Sequence, residues 1–76
     1  MPTIKRLRSC RIAIYPREHV PPHAHVEFRD GDRCSVEIET LRVKGDVRPA
    51  RKLVEPLAWI KANRQALSAK WKELVK

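Results

Sequence analysis

All three histidines of this chain fall within seven positions, in the stretch EHVPPHAHVEF that covers residues 18–28. His23 and His25 stand two apart, and on an extended strand such residues point the same way. His19 can return across Pro21 and Pro22 to join them. Three uses of that constellation stay open. As metal ligands, His19, His23 and His25 form a three-nitrogen set of the kind that holds a catalytic zinc ion. As catalytic groups, the same three suit a metal-independent endoribonuclease: one imidazole takes the 2′-hydroxyl proton, another protonates the leaving oxygen, and Arg11 steadies the phosphate. The third use needs no chemistry. Cross-strand His–Glu pairs then decorate a solvated sheet, while Pro21-Pro22 fixes an extended entry and withholds two amide donors from edge pairing. H-x-x-x-H-x-H is not a specific metal signature, and the sequence requires no cofactor.

These residues need strands to hold them. TIKRLR and CRIAIYP read as short strands, and in the second Cys10, Ile12 and Ile14 alternate with Arg11, Ala13 and Tyr15. PPHAHVEFRDGDRCSVEIET then alternates twice around an Asp-Gly-Asp turn, with Ala24, Val26, Phe28 and Cys34, Val36, Ile38 on the apolar side. A three-residue loop, Asp30-Gly31-Asp32, sets Val26 opposite Val36 and Phe28 opposite Cys34, whereas a two-residue loop opposes Val26 to Ser35. In the chosen register His25 faces Glu37 and His23 faces Glu39, with Glu27 and Ser35 beside them on the face away from the helix.

LRVKGDVRP, residues 41–49, reads as a connector punctuated by Gly45 and Pro49. From about residue 50 to 75 the spacing is helical: Leu53, Leu57, Ile60, Leu67, Trp71 and Leu74 form a stripe interrupted by Arg64, suited to covering the sheet. Pro56 either kinks this helix or opens a second one. Trp59 and Trp71 read as packing residues rather than a base-stacking platform. The fold class is α+β: an antiparallel meander of three to four short strands over residues 3–40, packed against a C-terminal helix, in one domain spanning 1–76.

At 76 residues the core is near the lower limit for stability without staples, which keeps a homodimer or another partner in view. The formal charge of +8 lies mostly in the second half, where residues 39–76 carry ten Lys/Arg against four acids. A balance of that kind favours RNA, DNA or an acidic protein, and the binding candidates are Arg11, Arg48, Arg51, Lys52 and Arg64. The opening residues contain no apolar run of signal-peptide length and no membrane-spanning segment, so a cytoplasmic location is expected. There Cys10 and Cys34, which lack CxxC spacing, are expected as buried thiols. With two glycines in the chain there is no phosphate-cradling loop, and G-x-S-x-G is absent.

At MPTI, IYPREHVPPHAHVEF, VEIETL and WIKANRQALSAKW the chain resembles the small bacterial family catalogued as domain of unknown function 4160. The most specific part is H-x-P-P-H-x-H-V, matched by His19, Pro21, Pro22, His23, His25 and Val26. Members usually carry Asp where this chain has Glu18, a Gly near Cys10, and often a His in place of Asn63. The resemblance implies a stand-alone bacterial protein encoded beside a second small protein, an arrangement similar to toxin–antitoxin pairs. It implies no established activity. A nucleic-acid-associated or partner-binding role in a two-protein regulatory module is therefore the leading expectation.

Overall fold

The computed structural model describes residues 3–75; Met1, Pro2 and Lys76 lie outside the described residues. Five strands, β1 (Thr3–Arg6), β2 (Cys10–Ala13), β3 (His23–Phe28), β4 (Arg33–Glu37) and β5 (Val43–Lys44), form one antiparallel sheet in chain order. A 3₁₀ turn at Ala50–Leu53 leads into α1 (Val54–Ala62) and α2 (Arg64–Leu74). The α+β meander expected from the sequence is present, with one strand more than the upper expectation of four. That strand, β5, lies inside the segment read as a connector.

Alternation builds the core. Ile12, Ile14, Val26, Val36 and Ile38 are fully buried on one sheet face, where Ile60, Leu67 and Trp71 of the helices join them. Each fully buried aliphatic side chain contributes roughly 1.5–3 kcal/mol relative to exposure, so this shared layer fixes which sheet face remains for other purposes. The expected stripe is realised: Leu53, Leu57 and Leu74 pack partly buried at its margins, as does Trp59. Arg64 sits at the gap in the stripe and donates from Nε to the carbonyl of Ile38 at 3.2 Å. Cys10 and Cys34 are buried free thiols, and burial pushes both above the usual thiol range, which leaves them unreactive.

The register of the β3–β4 hairpin differs from the expected one by two residues. Val26 opposes Cys34, Ala24 opposes Val36, His23 opposes Glu37, and His25 opposes Ser35. A three-residue loop is present, but it is Arg29-Asp30-Gly31: the Phe28 amide donates to the Asp32 carbonyl at 2.8 Å and the Gly31 amide to the Phe28 carbonyl at 3.1 Å. Gly31 has φ +103°, so the loop is placed to put the one residue tolerant of positive φ at its last position. A shift of two preserves each side chain's face and changes only its neighbours.

The single long helix also needs correction. Pro56 is buried in the first turn of α1, where a missing amide costs no helical hydrogen bond. The interruption falls instead at Asn63, with φ −119° and ψ 25°, whose side-chain amide donates to the Trp59 carbonyl at 2.8 Å. An Asn that bonds its own helix's carbonyls competes with the ladder and ends it there. Nor do Pro21 and Pro22 guard an edge: β3 is central, and the Pro22 carbonyl accepts from the Ile38 amide at 3.0 Å, extending the β3–β4 pairing.

Candidate histidine and cation face

The sheet face opposite the hydrophobic core is polar, and the registers order it into rows across the strands. Arg6, Arg11, Glu27 and Arg33 make one row; Thr3, Ala13, His25, Ser35 and Lys44 make the next. His23 and Glu37 follow, with Arg42 opposite Glu37 through the bond of its carbonyl to the Glu37 amide. Imidazoles therefore occupy the middle of the face and cations its margins.

The histidines do not use the facing strand. The segment joining β2 to β3 brings Glu18 between them, so that Glu18 Oε1 lies 2.7 Å from His25 Nε2 and Oε2 lies 3.3 Å from His23 Nε2. On the far side of the His23 ring, Nδ1 stands 2.8 Å from the Pro21 carbonyl. A carbonyl only accepts, so Nδ1 carries a proton, and the ring presents Nε2 to Glu18. Aromatic rings wall the cluster: Tyr15 meets His25 edge-on at 5.0 Å between centroids, and Trp71 approaches His23 at 5.1 Å. Burial pushes the Glu18 carboxyl up, and its bonds to His25 and His23 outweigh that, leaving it below the usual carboxylate range. With side chains 16–28% exposed, the three groups are shielded yet reachable from solvent.

Beside this cluster Arg11 donates from Nε to Glu27 at 2.7 Å, and Tyr15 donates to the other Glu27 oxygen at 2.6 Å. Arg11 is thus committed to a carboxylate and to Thr3 rather than free to steady a phosphate. The other sequence-derived binding candidates scatter. Lys52 is tied to Asp30 at 2.6 Å and Asp32 at 2.9 Å, Arg48 pairs with Asp46, and Arg64 is engaged by Ile38. Arg51 is exposed and forms no ion pair among the described residues.

His19 is exposed and takes no part in the Glu18–His23–His25 cluster. It lines a groove over β4 and β5 together with His23, Ser35, Glu37, Arg42 and Lys44. Arg42 and Lys44, which make no ion pair among the described residues, were not singled out by the sequence because two cations in a presumed connector look like ordinary solvated charge. Glu18 was missed because it lies in no periodic segment and only its adjacency to the histidine motif pointed to it, whereas Tyr15 read as an ordinary alternating position of the CRIAIYP strand.

A family profile described as Domain of unknown function (DUF4160) matches residues 10–72. The chain belongs to this family. The matched span contains the whole of the Glu18–His23–His25 cluster, the groove and most of both helices. No curated protein and no solved structure matches the chain. Among the described residues no helix is long and apolar enough to cross a membrane.

Proposed function

We propose that the protein binds a nucleic-acid backbone across the open sheet face, as one component of a two-protein regulatory module. The observation that carries this reading is the placement of four cations, Arg6, Arg33, Arg42 and Lys44, around the rim of a face whose interior holds the histidines with Glu18, the Arg11–Glu27 ion pair, Ser35 and Glu37. None of the four is consumed by an ion pair among the described residues. A chain with formal charge +8 adds long-range attraction for polyanions. Phosphates contacting the rim release counterions, so affinity should fall steeply with salt.

Fluorescence anisotropy with labelled RNA and DNA over a salt series tests this directly. Replacing Arg42 and Lys44 with Gln is expected to flatten the log–log slope by roughly 1.4–1.8, the value for two lost phosphate contacts. No binding to either polymer at low salt would end the reading, and a salt-sensitive complex with an acidic protein would take its place. His19 and His23 share the groove with Arg42 and Lys44, the one observation favouring cleavage as a second reading. The same samples, held with EDTA and run on a denaturing gel, are expected to contain intact RNA; cleavage lost in His19→Ala and His23→Ala would establish the endoribonuclease instead.

A further inference from the structure

The nucleic-acid reading leaves the convergence of Glu18, His23 and His25 unused. One ligand atom from each of the three, a ring nitrogen from either histidine and a carboxylate oxygen, lies within 4.8 Å of the others. Ligands about 2.0–2.1 Å from a tetrahedral zinc ion stand roughly 3.3 Å apart, and His23 Nε2 already keeps 3.3 Å from Glu18 Oε2. The other carboxylate oxygen, Oε1, lies 2.7 Å from His25 Nε2, so a metal held by one Glu18 oxygen needs the carboxylate, carried by an irregular segment, to turn and that contact to open by roughly 0.6 Å.

The surroundings match what a metal-binding imidazole requires. His23 Nδ1 is held by the Pro21 carbonyl, which orients the ring and leaves Nε2 as the donor atom, the outer-shell arrangement found around ligating histidines. Ring contacts among Tyr15, His25, His23 and Trp71 fix both imidazoles. Two nitrogens and one carboxylate suit a borderline divalent ion such as zinc better than calcium or magnesium, which favour oxygen-only shells. With His19 outside the cluster, the chain supplies three ligands and leaves a fourth position for water.

We infer that Glu18, His23 and His25 form a divalent transition-metal site with zinc as its preferred occupant. This inference stands independently of nucleic-acid binding, because the ligands are not the rim cations. The test uses the full chain, freed of any histidine tag and stripped with chelator. Isothermal titration with zinc is expected to give one site per chain and a melting temperature that rises with zinc concentration. Glu18→Gln and His25→Gln should each weaken zinc at least tenfold, while His19→Ala leaves it unchanged. Cobalt substitution supplies a readout independent of stability: visible d–d absorption of a four-coordinate N/O site, lost in His25→Gln. Should zinc fail to bind stoichiometrically, or bind equally to His25→Gln, or depend on His19, the assignment is overturned.

Discussion

The phenol of Tyr15 donates to Oε2 of Glu27 across 2.6 Å, joining the segment after β2 to the C-terminal end of β3. The opposite oxygen of the same carboxylate holds Arg11, so Glu27 ties together the chain on either side of Ile14. Because Tyr15 also meets the His25 ring edge-on, this bond helps to position the histidine cluster.

Tyr15→Phe removes the hydroxyl and keeps the ring. Stability should fall by about 0.5–1.5 kcal/mol, the usual net value of one such bond, measurable by urea denaturation with an unchanged m-value. The zinc titration of the variant should weaken modestly, since the ring that flanks His25 stays. A stability equal to wild type would show that water replaces the hydroxyl without loss.

Acid should weaken the fold with a predictable sign. The Tyr15 bond holds Glu27 below the usual carboxylate range despite its partial burial, Arg11 adding to the effect; Lys52 does the same for Asp30 and Asp32. Groups with lowered folded values contribute stability above their unfolded values, about 4, and lose it as pH falls through the folded ones. The denaturation midpoint should therefore hold between pH 5 and 7 and decline below about 4. In Glu27→Gln the midpoint at neutral pH should fall below that of the wild type and the acid decline should be shallower. An identical acid slope in that variant would remove Glu27 from the account.

Gly45 carries φ +125°, and a Cβ there would stand 2.9 Å from both Cα and Cβ of Cys34. The chain leaving β5 thus passes directly against β4, where no side chain fits. Gly45→Ala combines a strained backbone, about 1–3 kcal/mol, with displacement of β5 from β4. Since Lys44 is the neighbour of Gly45 and lines the groove, the same change should weaken nucleic-acid binding if the proposed face is correct. Thermal denaturation and the salt series read the two effects separately.

What could be read from the sequence follows from what periodicity constrains. Alternation placed Ile12, Val26 and Val36 in the core and the histidines on the other face, because that assignment depends only on parity. Register needed one further fact, that Gly31 takes the last position of the loop rather than its centre. β5 escaped because two residues, Val43 and Lys44, are too few to show a period. Glu18 could not be paired with His23 and His25 from spacing, since its position is set by the path of an irregular segment around two prolines. Asn63 looked like any polar helix residue until its side chain was seen bonding Trp59.

Lys52 offers the sharpest separation between charge that builds the fold and charge that could bind a ligand. Its ammonium reaches from the 3₁₀ turn to Asp30 and Asp32 in the β3–β4 hairpin, accompanied by a bond to the Arg48 carbonyl, and lies 4.7 Å from the centroid of the Phe28 ring. Those carboxylates hold the Lys52 ammonium above the usual lysine range. Three acceptors and an aromatic face leave little of it for a phosphate, whereas Arg42 and Lys44 have no such commitments. Lys52→Gln should accordingly lower the thermal midpoint, with Asp30 and Asp32 left facing each other without a cation, and should leave the slope of log affinity against log salt unchanged. Arg42→Gln/Lys44→Gln should do the reverse. If Lys52→Gln instead flattens the slope by the roughly 0.7–0.9 of one phosphate contact at unaltered stability, the ligand approaches from the helix side and the open sheet face is not where it binds.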